Sequence, residues 1–267
     1  MTIPPLPVAR STFADVIAAE RIKFATLRSN TVIVALVAAL IAVSGALSAL
    51  ALVTAALDPA NVDPILSTDP VRFLDTVLWM QVVLSIVAVM FATSEYSSRQ
   101  ILVTLIAVPT RVPVLLAKAV NIVFVGFVAG VIGASLAVTL PMLILPSGEI
   151  EYRFDLAEVS VLVLASGAYL ALTGVVALSI GALIRNVAVA ILLPTAVFTF
   201  LPSVLQSIGN ETITTLTGLL PSMAGRVILS SFDSPAGLSG GWGMAVLAAW
   251  AVLLLGVAGW VLRARDA

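Results

Sequence analysis

The sequence predicts an all-α integral membrane protein with six transmembrane helices and both termini in the cytoplasm. Hydrophobic residues make up 61% of the 267 residues and charged residues only 10%, whereas a soluble domain carries about 25% charged residues. Six runs without charged residues have the length of about 20 residues that crosses a hydrocarbon core of about 30 Å. The basic residues also alternate between the two ends of these runs, in the pattern of the positive-inside rule.

The composition excludes several classes of function. A net charge of -1 with so few charged residues fits neither a disordered nor a nucleic-acid-binding chain. Without Cys or His, the chain has no disulfide, no Cys/His zinc site and no Ser-His or Cys-His pair. We therefore expect no catalytic residues, no metal site and no nucleic acid partner.

The charge-free runs place the spans near 31-57, 74-94, 114-144, 158-184, 187-208 and 242-262. With the N-terminus inside, 10 of the 13 basic residues lie on the cytoplasmic side and 10 of the 14 acidic residues lie outside. We therefore expect one transmembrane domain over residues 1-267 of a multi-pass protein in the lipid bilayer of the plasma membrane.

Residues 12-28 are predicted to form an amphipathic helix on the inner membrane surface. Thr12 and Asp15 have the spacing of a capping box. Glu20 falls near the centre of the apolar face, where a carboxylate is unexpected. Two interpretations stay open: Glu20 snorkels and pairs with Lys23 or with the backbone turn at Phe24, or it contacts a cytoplasmic partner.

The segment 95-113 between the second and third spans is predicted to be a rigid elbow on the cytoplasmic side. Ser97 or Ser98 can cap a short helix over residues 99–108, and Pro109 would end it. Such a helix could pass force from a soluble motor to the membrane, although many elbows only connect two spans.

The loop 209-241 on the outer side is long and only weakly polar. Apolar residues recur on both sides of Pro221, which indicates short helices. Either they cover the tops of the spans, or they dip between them as re-entrant segments, which are tolerated only where protein or water buries the backbone.

Glycines recur at regular intervals inside two of the spans. Gly126 and Gly130 form a GxxxG pair, and Gly167, Gly174 and Gly181 repeat every seven residues. Such seams let helix backbones approach closely, so we expect them to pack helices together.

The spans contain no energy source that we can identify. No Asp, Glu, Lys or Arg lies in the middle of a predicted span, which argues against a proton-coupled carrier. The Walker A motif GxxxxGK[ST] is also missing, because Ile22 and Ala117 precede the lysines Lys23 and Lys118 where the motif needs Gly. Energy from ATP would have to come from another chain.

The stretch from Glu95 to Lys118 contains Glu95, Tyr96, Ile101, Thr104, Leu105, Pro109, Arg111, Ala117 and Lys118. With these residues it meets throughout the pattern that runs roughly E-Y-x-S/T-x-x-I-x-x-T-L-x-x-x-P-x-R-x-x-x-L-x-A-K. In this pattern the stretch resembles the permease subunits of ATP-binding-cassette (ABC) exporters of the second type, especially their six-span actinobacterial forms. The segment from Glu20 to Ser29 is similar to the family's membrane-surface helix.

The resemblance implies a pair of permeases, identical or related, each docked to a separate ABC ATPase subunit that binds ATP and Mg. It implies coupling to the ATPase through Glu20, Lys23, Glu95, Tyr96, Arg99, Thr104, Leu105, Pro109, Arg111 and Lys118. It also implies a substrate path lined by the second and fifth helices, which nominates Gln81, Ser85, Thr195 and Thr199.

The function that the resemblance implies is export across a bacterial plasma membrane. The chain would be the transmembrane subunit, not itself an enzyme, and would move an amphipathic or apolar compound such as an antibiotic, an antimicrobial peptide or a lipid. Multidrug or antimicrobial peptide export, and hence antibiotic resistance, is the corresponding expectation. A six-helix secondary carrier or channel that works without an ATPase is the alternative.

Overall fold

The computed structural model describes residues 12–58, 68–97, 111–148, 150–184, 186–230 and 234–264, and of residues 94–97 and 111 it describes the backbone alone. Every regular element in these ranges is helical. Six helical segments are long and apolar enough to cross a membrane: Arg28–Leu57, Pro70–Thr93, Val112–Gly148, Leu156–Leu183, Val187–Ser207 and Gly240–Ala264. The predicted all-α class and the six apolar helices are therefore confirmed.

The helices are numbered in chain order. They are α1 (Phe13–Thr26), α2 (Arg28–Leu57), α3 (Asp75–Ser97), α4 (Arg111–Thr139), α5 (Pro141–Ile144), α6 (Leu156–Leu183), α7 (Val187–Thr195), α8 (Leu201–Ser207), α9 (Glu211–Thr217), α10 (Pro221–Arg226) and α11 (Gly240–Ala264). Short 3-10 turns precede α3 at Pro70–Leu74, follow α5 at Leu145–Gly148 and follow α10 at Val227–Leu229.

The first helix begins with the predicted capping box. The Asp15 amide donates to Thr12 Oγ1 at 3.3 Å, and the Thr12 amide donates to Asp15 Oδ2 at 2.8 Å. Hydrogen bonds from the Thr12 hydroxyl and amide lower the pKa of Asp15. The helix ends at Thr26 rather than at residue 28, because Leu27 takes an extended backbone (φ -80°, ψ 96°) that separates α1 from α2.

The central helix of the bundle is α6. In its most apolar stretch 78% of the residues are buried, against 22% in the Val187–Ser207 span. The predicted glycine seams explain its close packing: a Cβ atom on Gly130 of α4 would lie 2.7 Å from the Gly167 Cα atom of α6. Only small residues allow two helix backbones to approach in this way.

The fifth span is interrupted, whereas the sequence predicted one helix over 187-208. A π-helical turn, Ala196–Phe200, separates α7 from α8. Pro202 has no amide N–H to donate to the Phe198 carbonyl four residues earlier. The Ser222 hydroxyl donates to that carbonyl oxygen instead, at 2.9 Å, so the loop segment stabilises the interruption.

The segment between the fifth and sixth spans forms a bent helical pair. The axis of α9 and the axis of Pro221–Leu229 differ by 75°. The residues of α10 from Pro221 to Gly225 are all buried, and this helix packs against α11, α6 and the π-helical turn. This burial shows that α10 packs among the spans, and both arrangements that the sequence left open are compatible with it.

Candidate functional site

Polar groups gather in two regions near opposite ends of α3. One contains Glu20, Lys23, Phe91 and Lys118 and is called the Glu20 cluster. The other is a cavity beside Gln81 and is called the Gln81 cavity. The α3 residues that bound these regions, Asp75 and Phe91, are about 24 Å apart along the helix at 1.5 Å per residue.

The Glu20 cluster is a buried ion network. Glu20 is only 1% exposed and Lys118 only 5%. Glu20 Oε1 lies 2.6 Å from Lys23 Nζ, and Glu20 Oε2 lies 2.7 Å from Lys118 Nζ. A carboxylate buried this deeply in an apolar surround is retained only when it is paired. Pairing with Lys23 was one of the two interpretations from the sequence; pairing with Lys118 was not foreseen.

The network connects three helices. Lys118 Nζ also donates to the Phe91 carbonyl of α3 at 3.2 Å and lies 4.2 Å from the centre of the Phe91 ring, within range of a cation–π interaction. Phe24 of α1 packs edge-on against Phe91, with ring centroids 5.1 Å apart. Helix α1 is therefore fixed to the end of α3 and the start of α4, the two helices that flank residues 98–110.

The Gln81 cavity has a volume of about 380 Å³ and lies between α3, α6, the fifth span and α10. Its lining residues are Asp75, Leu78, Trp79, Gln81, Tyr169, Phe198, Thr199, Pro202, Ser203, Gln206, Ser222, Met223 and Arg226. More than half of these side chains carry a polar atom, which sets this cavity apart in a chain of such low charge.

One hydrogen bond organises the deep wall of the cavity. The Tyr169 hydroxyl donates to Gln81 Oε1 at 2.7 Å, and both side chains are buried. Gln81 Nε2 has no hydrogen-bond acceptor among the described residues, although an amide nitrogen offers two donors. This donor is therefore available to a molecule in the cavity.

The charged lining residues, Asp75 and Arg226, are not paired with each other. No ion pair within 4.0 Å joins them, or either of them to another described residue. Arg226 Nη1 contacts Met223 Sδ at 3.6 Å, and a thioether is a weak acceptor. The cavity therefore presents a carboxylate and a guanidinium that are both open to a ligand.

The structure divides the nominated substrate-path residues into two pairs. Gln81 and Thr199 line the cavity. Ser85 is buried and donates to the Gln81 carbonyl at 2.6 Å, and Thr195 donates to the Ile191 carbonyl at 3.2 Å. These two hydroxyls bond to the preceding turn of their own helix, as is common for Ser and Thr in apolar helices, and neither lines the cavity.

Asp75, Tyr169, Gln206 and Arg226 are among the polar lining residues that sequence reasoning did not assign to a site. Asp75 and Arg226 were counted as loop charges, since a charge at the end of a span is expected there. A Gln in the last turn of the fifth span and a Tyr in the fourth were visible signals. Nothing local in the sequence, however, indicated that they face one another.

The structure brings together three of the residues nominated for coupling: Glu20, Lys23 and Lys118. The backbone of Glu95 and Tyr96 forms the last turns of α3, and Arg111 begins α4; their side chains lie outside the description. The other nominated residues, Arg99, Thr104, Leu105 and Pro109, lie outside the described residues, as does most of the predicted elbow 95-113.

Comparison with known proteins assigns no family to the chain. No protein-family model matches it, and no curated protein matches it. Within the part of the chain that the structure describes, no group of three or more acidic side chains could hold a metal ion.

Proposed function

We propose that this chain is the transmembrane subunit of an ATP-driven ABC exporter in a bacterial plasma membrane. A separate ATPase subunit, with ATP and Mg, supplies the energy, and a second permease, identical or related, completes the pair. Both termini then face the cytoplasm. The cargo is an amphipathic or apolar compound, such as an antibiotic, an antimicrobial peptide or a lipid.

The buried Glu20–Lys118 ion pair is the observation that carries this proposal. An ATPase that pushes on residues 95-113 must move the ends of α3 and α4. Because Lys118 holds both the Glu20 carboxylate and the Phe91 carbonyl, α1 moves with those two helix ends as one unit. A surface helix that served only as an anchor in the membrane would not need a buried charge pair to the spans.

The surface of the fifth span supports a second permease. Only 22% of its most apolar stretch is buried within this chain, and its exposed side chains include Leu192, Phe200 and Val204. Such a face must be covered by lipid or by another chain. The Gln81 cavity lies beside this span, where the resemblance puts the substrate path.

The proposal is tested by reconstituting the chain in vesicles with its ATPase. Glu95→Ala and Arg111→Ala should each abolish the cargo-stimulated part of ATP hydrolysis, because the predicted elbow can no longer transmit force. Membrane insertion should be unchanged. Arg263→Ala is the matched control, since this exposed arginine near the end of α11 lies outside the elbow, and it should keep full stimulation.

Unchanged coupling in both elbow variants would contradict the assignment of the elbow. Vesicles that contain this chain alone test the alternative function. If they move a compound down its gradient without any ATPase, the chain is a secondary carrier or channel, and the exporter proposal fails.

A further inference from the structure

We propose that the Gln81 cavity binds a zwitterionic head group, with its acidic group at Arg226 and its ammonium group at Asp75. The transport of such a ligand rests on the proposed function. Its binding does not, because binding can be measured on this chain alone. The inference names the class of cargo that the cavity selects, which the resemblance leaves open.

The acidic group is expected at Arg226 because hydrogen-bond donors without an oxygen acceptor converge there. The guanidinium has five N–H donors, and its contact among the described residues is the Met223 sulfur. Gln206 Nε2 approaches the same sulfur at 3.8 Å. The Thr199 hydroxyl forms no hydrogen bond with a described residue. A phosphate or carboxylate supplies the oxygens that such donors prefer.

The ammonium group is expected at Asp75. This residue begins α3, and its carboxylate accepts no hydrogen bond from any residue that the structure describes. Arg72 and Arg226 are close enough to interact with its charge, yet neither approaches within the 4.0 Å of an ion pair. The charges of Asp75 and Arg226 cancel across the cavity, which suits a ligand of no net charge that carries both signs.

Gln81 provides an independent indication of a ligand. Its side chain is 6% exposed, its oxygen is held by the Tyr169 hydroxyl, and its nitrogen has no described acceptor. Because the side chain lines the cavity and its nitrogen has no acceptor on the described residues, the acceptor of its hydrogen bond must come from the cavity. The Tyr169 contact fixes the direction of the amide, so the donor is oriented before the ligand arrives.

The size and position of the cavity fit a head group rather than a whole amphipath. Ligand pockets range from about 300 to 1,000 Å³, and this cavity, at about 380 Å³, lies at the small end. Trp79 lines it and is 64% exposed, as expected of an aromatic ring at a boundary between polar and apolar surroundings. Apolar chains attached to the head group would therefore remain outside, beside Trp79.

Binding to the full-length chain in micelles of an uncharged maltoside detergent tests this inference, because the surrounding amphipath then carries neither an acidic group nor an ammonium group. Four probes separate the contributions: short-chain phosphatidylethanolamine carries both charges, phosphatidylglycerol with the same chains carries only the acidic one, and an alkylamine of the same chain length carries only the basic one. Glycerophosphoethanolamine carries both charges without chains. We expect phosphatidylethanolamine to bind about tenfold more tightly than either singly charged amphipath, because it uses both charged groups.

The variants make the prediction specific to each end of the ligand. Asp75→Asn should remove the preference for phosphatidylethanolamine over phosphatidylglycerol and leave phosphatidylglycerol binding unchanged. Arg226→Gln should remove the preference over the alkylamine and leave alkylamine binding unchanged. Glu151→Gln and Arg263→Gln remove charges of the same two signs from exposed residues that do not line the cavity, and both should behave as the wild type.

The inference would be overturned if the three amphipaths bound the wild type with equal affinity. It would also be overturned if each of the two cavity variants lost the same affinity for all three. A control variant that loses the preference would overturn it as well. Glycerophosphoethanolamine identifies the source of the zwitterion within the proposal: binding as tight as that of phosphatidylethanolamine indicates a free zwitterion, and weaker binding indicates a lipid head group. None of these outcomes depends on the ATPase, so a failed coupling experiment leaves this test intact.

Discussion

The Glu20 cluster and the Gln81 cavity both contain acidic and basic side chains, but these are paired in the cluster and lie apart in the cavity. Glu20 and Lys118 are almost fully buried and lie 2.7 Å apart. Asp75 and Arg226 line an open cavity and form no ion pair with any residue that the structure describes. Burying a charge without a partner costs much free energy, so Glu20 and Lys118 must stay paired. Because they belong to α1 and α4, their pairing holds these two helices together. Charges left apart beside a cavity add little to stability and are available to a ligand.

The largest effect on stability is expected from Glu20→Ala. This change removes the buried carboxylate that lies 2.7 Å from Lys118 Nζ and 2.6 Å from Lys23 Nζ, and breaking a buried ion pair costs about 3–5 kcal/mol. Equilibrium unfolding in detergent micelles measures the loss. Glu151→Ala, which removes an exposed carboxylate, is the matched control and should change the free energy of unfolding by less than about 0.5 kcal/mol.

A double variant shows whether the loss comes from breaking the charge pair or from lost packing. Glu20→Met combined with Lys118→Met removes both charges and fills similar volume with apolar atoms. Most of the stability should return, because apolar replacement of a complete buried pair is often neutral. If the double variant were less stable than Glu20→Ala, packing rather than charge pairing would explain the Glu20 cluster.

An intermediate effect is expected from Tyr169→Phe, which removes the satisfied hydrogen bond of the Gln81 cavity. Gln81 Oε1 then loses its donor, at a cost of about 1 kcal/mol in the free energy of unfolding. Tyr152→Phe is the comparison, since its hydroxyl donates to the Val138 carbonyl at 3.0 Å from a half-buried position. Tyr152→Phe should lower the free energy of unfolding by less than Tyr169→Phe does. If it lowered it by more, the hydrogen bond in the deep wall of the cavity would not be a strong one.

The smallest effect on stability is expected from Asp75→Asn. Its carboxylate has no described partner to lose, so the free energy of unfolding without ligand should change by less than about 0.5 kcal/mol. The same unfolding titration measures it. A loss comparable to that of Glu20→Ala would remove the contrast between the two regions.

Much of the fold follows from local patterns in the sequence. The six apolar helices appear as charge-free runs, and the capping box at Thr12 and the glycine seam at Gly130 depend on spacing within one or two helices. The π-helical turn at Ala196–Phe200 was not predicted, although Pro194 and Pro202 stand on either side of it. Whether such prolines kink, break or widen a helix depends on which neighbour takes up the released carbonyl, here Ser222.

The two polar regions could be predicted only in part. Glu20 stood out because it lies on an apolar face, and Gln81 and Thr199 because polar residues are rare in these spans. Their partners come from helices distant in the sequence, and the relative rotation of two packed helices decides whether Lys118 meets Glu20. No periodicity within either helix contains that information. For the same reason, Asp75 and Arg226 were predicted only as charges that end a span.

The change in stability that phosphatidylethanolamine causes tests the contrast between the two regions most directly. A ligand that binds only the folded chain should raise the free energy of unfolding by about 2.7 kcal/mol at a hundred times its Kd. We expect this increase in the wild type and in the Glu20→Met, Lys118→Met double variant, and a clearly smaller one in Asp75→Asn and Arg226→Gln. If phosphatidylethanolamine raised the free energy of unfolding of the two cavity variants as much as that of the wild type, the ligand would not bind at Asp75 and Arg226. If it no longer raised that of the double variant, the Glu20 cluster would not be separate from ligand binding. Either result would contradict the contrast between the two regions.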